Sequence, residues 1–502
     1  MNLKEKVNKF KKEFKENEDL KIRYFSAFNN EFALLYIDCF SDFDIISKDI
    51  IEPIIKYKKE NSKESVSSKN IILKENEKQN NLLTFISENI LCASEIELNS
   101  DFQEQVQKLA RGEKILLCES EDNALIIFTK KIEKRTVMEP PTNNVVLGPR
   151  EGFIEDFNTN LNLIRKRLPT SDLKIENLEL GRFTKNRVAI CYLTKIADKK
   201  IVKKIKKCLE KIDIDGVLDS YYLQDFLEER PNSIFKQIGH TEKPDILVGK
   251  MLEGRIGIIV DGSPIALTLP FILMEDLQSS EDYYEDNNKV SFIRILRIFG
   301  LTIALIMPGL YISLQLYHYR AFPLQFLVTI INSSQNIPMP PAIEVFFAFF
   351  MFEILYEASI RTPKGLGSSF NIIGALILGD TAVKSNLCSA PTIMIVALSS
   401  IAIYLLPDAT NVMRLLRFAL TVIGTLIGLV GIVIGLIFIV GYLNDFDSYG
   451  AAYLSPVSPF KKSDFQDFVI KKNIRKIKTR PSSFSNKNRI RLGVKNGKNK
   501  EN

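Results

Sequence analysis

The residues best suited to chemistry lie inside an apolar stretch, AIEVFFAFFMFEILYEASI at 342–360. Glu353, Glu357 and Arg361 are spaced four residues apart, so a helix would place all three on one face. Ionisable groups at membrane depth are costly and usually face a cavity or a charged partner. We therefore predict a candidate ion pathway lined by Glu353 and Glu357, with Asp380 of a later apolar segment nearby.

A purely structural role for the same residues stays open. Arg361 is then the intramembrane ion-pair partner of Glu357, and Glu353 pairs with a cation of another helix. In that case the ion pairs fix the packing of the helices and no ion passes between them. Glu344 lies close to an expected helix end, where we expect water to solvate it.

Other kinds of site lack the residues that they require. The sequence has two histidines and six scattered cysteines without a C-x-x-C pair, which argues against a metal cluster and a disulfide scaffold. No serine or cysteine has a histidine near it in sequence, and GPREGF at 148–153 lacks both phosphate-binding glycine patterns. We expect no enzyme, no cofactor and no metal.

Charge is distributed unevenly along the 502 residues. Residues 292–445 hold only 14 charged side chains, whereas residues 1–291 have a net charge of −5 and residues 446–502 of +10. A long apolar region with few charges is typical of a membrane domain. The acidic front is a poor match for a polyanion, so we expect membrane lipid and no nucleic acid among the partners.

The front of the chain shows an internal repeat. IRYFSAF (22–28) with EFALLYID (31–38), and KIENLELGRF (174–183) with NRVAICYL (186–193), are strand pairs that each precede a helical stretch. Each copy has a later apolar hairpin, and Gly112 or Gly254 before it suits the left-handed residue that ends a helix. We predict two α/β subdomains, at 1–136 and 137–290, the first with a disordered insertion at 57–80.

Residues 291–445 are predicted to form a helical transmembrane domain. The candidate spans begin at 291, 342, 391 and 411, whereas the apolar pieces at 321–331 and 369–383 are short. The predicted fold class is therefore α+β with a membrane part: two related α/β subdomains, about four full spans with broken or re-entrant segments, and a basic tail at 446–502.

In the helical region, a set of glycines is predicted to pack helices together, and two pairs of arginines are predicted to lie at the membrane surface. A stripe of small residues allows close helix contact, either between subunits or within one subunit. It consists of Gly424, Gly428, Gly431 and Gly435. Pairs of arginines before the first and last spans are expected to reach lipid phosphates. They are Arg294 with Arg297 and Arg414 with Arg417.

The charge distribution also predicts an orientation. The start of the chain has no apolar signal region, and the positive-inside rule places the basic tail in the cytoplasm. Front and tail then lie on the same side, so the number of full spans is even.

Nine segments, in order along residues 20–480, resemble the A subunit of GerA-type spore germination receptors. They are VMEPPTNNVVLGPREGFIEDFNTNLNLIRKRL (137–168), TEKPD (241–245), LEGRIGIIVDGSP (252–264), SSEDYY (279–284), RILRIFG (294–300), FEILYEASIRTP (352–363), IIGALILGDTAV (372–383), LLRFAL (415–420) and SYGAAYLSP (448–456). Sporulation proteins of the SpoVAF type share this architecture. Three positions depart from the family pattern: Tyr356 and Lys243 replace arginines, and Asp380 replaces a glutamine.

The resemblance implies a multi-pass protein of the spore inner membrane, with front and tail on the spore-core side. It implies a homo-oligomer, in this family a pentamer, that forms a germinant-gated ion channel with an amino-acid-transporter-like B subunit and a lipoprotein C subunit. A non-conducting scaffold of the receptor and a SpoVAF-type accessory channel are the alternatives. Because acidic side chains outnumber basic ones on 342–360 and 369–383, we expect monovalent cations.

Overall fold

The computed structural model describes residues 2–41, 43–61, 82–129 apart from 92 and 94, 147–361, 378–406 and 409–492. Most of the predicted insertion at 57–80 and most of the apolar segment 369–383 lie outside these residues. The chain divides into two compact units. The front unit comprises Met1–Pro231, Gln237–Phe271 and Thr479–Asn502, and the helical unit comprises Asn232–Lys236 and Ile272–Lys478.

The first sheet of the front unit has five antiparallel strands in the order β1-β2-β4-β5-β3. The strands are β1 Leu20–Ala27, β2 Asn30–Ile37, β3 Ile96–Asn99, β4 Lys114–Cys118 and β5 Ala124–Ile127. The helices that cover it are α1 Leu3–Glu13, α2 Glu52–Asn61, α3 Leu82–Asn89 and α4 Phe102–Ala110. Successive residues of a strand face opposite sides, so Ala33 and Leu35 pack with α1 and α4, whereas Phe32 and Leu34 pack with α2 and α3.

The second sheet repeats this topology, with the order β6-β7-β9-β10-β8. Its strands are β6 Leu173–Leu180, β7 Asn186–Leu193, β8 Gly239–Thr241, β9 Ile256–Val260 and β10 Ala266–Leu269. Its helices are α5 Phe157–Arg167, α6 Lys199–Glu210, α7 Ser220–Leu227 and α8 Pro244–Leu252. Gly112 and Gly254 follow α4 and α8 with φ of 99° and 102°, which confirms the predicted helix ends.

Polar contacts join the two sheets. The side chain of Asn17 continues the edge of β6, because its Nδ2 donates to the Leu173 carbonyl at 2.9 Å and its Oδ1 accepts from the Ile175 amide at 3.2 Å. Arg165 is completely buried, and its Nε donates to the Asp19 carboxylate at 2.5 Å. The two subdomains therefore share a charged contact that is closed to water.

The last described residues of the chain pack against the second subdomain. Asn486 forms a β-bridge with Ala197, and the Lys487 amide donates to the Ile196 carbonyl at 2.9 Å. The Arg255 guanidinium lies 3.9 Å from the centroid of the Phe484 ring. Residues 479–492 are thus an integral part of the front unit.

Six helices of the helical unit carry the candidate site or pack beside it. They are α9 Asn287–Tyr317, α10 Leu324–Ser334, α11 Pro341–Arg361, α12 Ala390–Ile403, α13 Thr410–Ile427 and α14 Leu429–Asn444. By length and composition, α9 and α13 are apolar and long enough to cross a membrane, among the residues that the structure describes. The expected span at 411–443 is two helices, because Gly428 adopts φ 76° and ψ −155°, which no helix can continue through.

Contacts between the helices fix their relative directions. Gly309 lies against Leu420, and the Tyr317 hydroxyl at the end of α9 donates to the Thr425 carbonyl at 2.8 Å, so α9 and α13 run parallel. Gly435 also lies against Leu420, so α14 folds back along α13. The start of α9 and the end of α14 therefore lie at one end of the unit.

The segments that flank α9 and α14 meet at that end. The amide of Leu273, which precedes α9, donates to the carbonyl of Tyr453, which follows α14, at 3.0 Å. The Ser458 hydroxyl bonds the Asn444 side chain at the end of α14. We call this the tail-side end of the helical unit.

We expect Asp19→Ala to destabilise the front unit, because it leaves the charge of Arg165 buried without a counter-ion. Breaking one half of a buried ion pair costs about 3–5 kcal/mol of unfolding free energy. The measurement is the guanidinium midpoint of the full chain in detergent, read by alkylation of Cys191, a thiol whose pKa burial raises to about 12.

The matched control is Asp213→Ala, which removes the partner of Arg182 from an exposed ion pair with an N–O distance of 2.7 Å. Water solvates both groups there, so the midpoint should not change. Equal midpoints for the two variants would show that the Asp19–Arg165 contact does not hold the sheets together.

Candidate functional site in the helical unit

Glu353 joins α11 to α13. Its carboxylate accepts a hydrogen bond from Nη1 of Arg414, whose guanidinium also lies 4.3 Å from the centroid of the Tyr356 ring. The side chain of Glu353 is nevertheless 46% exposed. The ion pair is therefore a bridge between two helices with one open side.

Glu357 and Asp380 each form an ion pair within a helix. The Glu357 carboxylate accepts from Arg361 at 2.7 Å, which is the partner that the sequence suggested. The Asp380 carboxylate accepts from Lys384 at 2.6 Å. All four side chains are largely exposed in the single chain.

Basic side chains balance the acidic ones in the described residues of 341–361 and 378–427. The carboxylates are Glu344, Glu353, Glu357 and Asp380, and the cations are Arg361, Lys384, Arg414 and Arg417. Because the fold supplies as many cations as anions here, net charge alone gives no preference for cations. Selectivity would depend on which of these groups face the ions.

Glu344 is buried, contrary to the expectation that water solvates it. It is 1% exposed, and its carboxylate accepts from the amide of Ser389 at 2.5 Å and from its hydroxyl at 2.6 Å. Ser389 is the N-cap of α12, so the carboxylate lies at the positive end of that helix. Thr392 and Tyr311 extend the same polar cluster.

Arg417 is also buried, at 4% exposure, although the sequence suggested that it reaches the lipid surface. Its guanidinium donates to the hydroxyls of Ser399 and Ser400 at 3.3 and 2.9 Å. It also lies 4.6 Å from the centroid of the Phe349 ring. Hydroxyls and an aromatic face take the place of lipid phosphate, so this cation holds α11, α12 and α13 together.

The four glycines of the predicted stripe line contacts within the chain. They are Gly424, Gly428, Gly431 and Gly435. A Cβ at position 424 would lie 2.9 Å from the Gly309 carbonyl, one at 431 would lie 2.6 Å from Ile427, and one at 435 would lie 2.9 Å from Leu420. Gly428 lies against Tyr317 and also forms the break between α13 and α14. Of the two alternatives, packing within one subunit accounts for these contacts.

A cluster of charged side chains at the tail-side end was not visible from sequence. Asp282 accepts from Arg294 and from Arg297, both at 2.9 Å, and Asp467 accepts from Arg294 at 3.0 Å. The Lys471 ammonium donates to the Asp282 carbonyl at 2.5 Å, and burial lowers the pKa of Lys471. The expectation that Arg294 faces lipid was wrong, because it is 1% exposed.

No spacing rule links Arg294 to Asp467, because 173 positions separate the two residues. The sequence marked Asp282 only as part of SSEDYY (279–284), one of the segments that resemble the family. The sequence does not show that the tail returns to the start of α9.

Comparisons with known proteins identify relatives along nearly the whole chain. The family described as Bacillus/Clostridium GerA spore germination protein matches residues 8–483. Spore germination protein KA of Bacillus subtilis (strain 168) is 32% identical over 463 residues, 92% of this chain and 82% of the relative. Spore germination protein B1 of the same organism is 31% identical over 494 residues, 97% of this chain and 98% of the relative. The resemblance seen in the sequence is confirmed.

Further matches include a third relative and a solved structure. Spore germination protein GerQA of Bacillus cereus is 35% identical over 372 residues, 74% of each chain. The N-terminal domain of the A subunit of the Bacillus megaterium spore germinant receptor GerK3 is 26% identical. It covers 53% of this chain and 94% of that one, with a TM-score of 0.37.

We expect Glu344→Ala to loosen the contact between α11 and α12, because the buried amide and hydroxyl of Ser389 lose their acceptor. An unsatisfied buried donor costs about 1–3 kcal/mol, so alkylation of the buried neighbour Cys388 should accelerate on the order of tenfold. Mass spectrometry of the peptide that contains Cys388 gives the rate.

Glu344→Gln keeps an acceptor oxygen and should cause a smaller acceleration. Asp380→Ala, which removes an exposed carboxylate, is the matched control and should leave the rate unchanged. Equal rates for Glu344→Ala and Asp380→Ala would contradict a structural role for the buried carboxylate.

Proposed function

The chain belongs to the GerA family of spore germination proteins, and from this premise we propose that it is the A subunit of a nutrient germinant receptor. The observation that carries the proposal is the family match over residues 8–483, which includes the front unit and the helical unit together. A relative that shared only one unit would support a much narrower role.

In this proposal the protein lies in the inner membrane of a bacterial spore. α9 and α13 cross the bilayer, and the shorter helices pack beside them. The front unit and the tail lie on the spore-core side. The chain assembles with an amino-acid-transporter-like B subunit and a lipoprotein C subunit. The protein catalyses no reaction and uses no cofactor or metal.

Copies of the chain form the ion route, with a pentamer as the proposed assembly. The support is the exposure of ionisable groups on apolar helices: Glu353 and Glu357 are 46% and 55% exposed in the single chain. Hydrocarbon cannot solvate such groups, so in a bilayer they must face water or a neighbouring copy. A water-filled route lined by Glu353 and Glu357 satisfies this requirement, and monovalent cations are the proposed ions.

The Glu353–Arg414 bridge is the proposed gate. Germinant bound to the partner subunit favours the open member of two conformations, as a ligand does when it binds one state better than the other. Because the bridge joins α11 to α13, a change in their packing alters the charge that Glu353 presents to the route.

Two alternatives use the same structure without a germinant-gated route in this chain. The pairing of Glu353, Glu357 and Asp380 with cations within the chain is the feature that favours a non-conducting membrane scaffold of the receptor. A SpoVAF-type accessory channel would conduct without responding to germinant through the B subunit.

We expect Glu353→Gln with Glu357→Gln to reduce the preference for potassium over chloride in planar bilayers that contain the chain and its partner subunits. A unit charge about 4 Å from an ion contributes on the order of 1 kcal/mol in water, about fivefold in occupancy. Germinant-triggered potassium release from spores that carry the double variant should slow accordingly.

Asp213→Asn, an exposed carboxylate of the front unit, is the matched control and should change neither measurement. Unchanged selectivity and release in the double variant would exclude the two glutamates from the ion route. Absence of any current from the assembled subunits would favour the scaffold. A current that is independent of germinant would favour the accessory channel.

A further inference from the structure

The segment that follows α14 forms a collar at the tail-side end of the helical unit. We use the name tail collar for residues 456–478. The collar is held by Arg294, whose Nη1 donates to the carbonyls of Asp467 and Phe468 at 3.0 and 2.9 Å. The backbone amide of Lys471 donates to the Ser291 hydroxyl at 3.1 Å. These contacts keep the collar beside the first turns of α9.

Apolar side chains on the tail collar point away from the protein. Phe460 is 71% exposed and Ile474 is 53% exposed, and Ile470 and Val457 are similarly uncovered. The collar is not a long helix with an apolar core face, since its only helical pieces are 3₁₀ turns of three residues. Its exposed apolar groups are therefore free to contact another surface, such as a membrane.

Basic residues are interleaved with these apolar ones. The collar has seven lysines and arginines but only two aspartates, and one of these, Asp467, is bound to Arg294. Five of the cations, Lys478 and four others, are exposed and have no ion-pair partner among the residues that the structure describes. The other four are Lys462, Lys472, Arg475 and Lys476.

The collar lies where the apolar outer surface of α9 begins. Phe292 and Ile295 flank the buried Arg294 in sequence, and both are largely exposed. Tyr283 and Tyr284, just before α9, are also exposed, as aromatic residues commonly are at a membrane surface. Apolar groups at this depth meet the outer edge of the hydrocarbon, and cations beside them meet phosphates.

We propose that the tail collar binds the anionic phospholipid headgroups of the leaflet at the tail-side end. Phe460, Ile470 and Ile474 enter the boundary of the hydrocarbon, and Lys472, Arg475 and Lys476 contact the phosphates. Each such cation contributes about 1 kcal/mol near an anionic surface, about fivefold in the docking equilibrium. This surface is separate from the ion route, although it rests on the proposed insertion of α9 into a membrane.

The absence of tryptophan from the natural sequence gives a direct test. Ile474→Trp places a single reporter on the collar of the full chain, which is then reconstituted in vesicles of phosphatidylglycerol and brominated phosphatidylcholine. We expect bromine to quench its fluorescence strongly. Quenching should fall in vesicles of brominated phosphatidylcholine alone, and also when Lys472→Gln, Arg475→Gln and Lys476→Gln are added.

Two further single reporters separate the outcomes. Phe183→Trp, in the front unit at a side chain that is 81% exposed, should not be quenched. Phe438→Trp, on the exposed face of α14, should be quenched whatever the lipid charge, and its failure would reject membrane insertion and hence the proposed function.

If Phe438→Trp is quenched, the result at position 474 decides the proposal. Quenching no greater than for Phe183→Trp, or quenching that ignores lipid charge, would overturn it. A blue-shifted but unquenched reporter would also overturn it and would identify protein, such as a second copy of the chain, as the occupant.

Discussion

Every deeply buried charge in this protein needs a partner, and the position of that partner determines which distant segments are held together. Removing an ion from water costs several kcal/mol, more than most single contacts return. Arg165 therefore requires Asp19, and the pair joins the two sheets of the front unit. Arg294 requires Asp282 and Asp467, and this requirement fixes the tail at the start of α9.

The same constraint separates two kinds of charge in the helical unit. Glu344 and Arg417 are buried and form hydrogen bonds with hydroxyls and an amide of a neighbouring helix, so they hold the helices together. The pairs Glu357–Arg361 and Asp380–Lys384 are instead exposed on the outside of the single chain. In the proposed membrane assembly, these exposed pairs would have to face water or a neighbouring copy of the chain.

Local features of the fold could be predicted from the sequence because their causes are local. Short runs rich in apolar residues marked β1, β2, β6 and β7, and the glycines before the apolar hairpins marked helix ends that adopt positive φ. The repeat of these patterns matches the identical strand orders of the two sheets. Each of these properties depends on neighbours within a few positions.

Features that depend on long-range pairing could not be predicted. The regular glycine spacing at 424–435 suggested one helix, because nothing in that spacing shows that position 428 adopts φ 76° and reverses the chain. We expected water to solvate Glu344. The sequence does not show its burial, because the carboxylate accepts from Ser389, which lies 45 positions later. The candidate ion-pathway residues could be proposed from their chemistry. The partner of Glu353 could not, because Arg414 lies 61 positions later and is brought near by packing.

The path of the chain end has a consequence for biosynthesis. Residues 479–492 are the last described ones to leave the ribosome, yet they complete the second subdomain through Asn486 and Phe484. The front unit consequently finishes folding only after all the helices have been synthesised. A ribosome that stalls between the codons for α14 and those for residues 479–492 leaves a nascent product in which α9–α14 are complete and the front unit still lacks this segment.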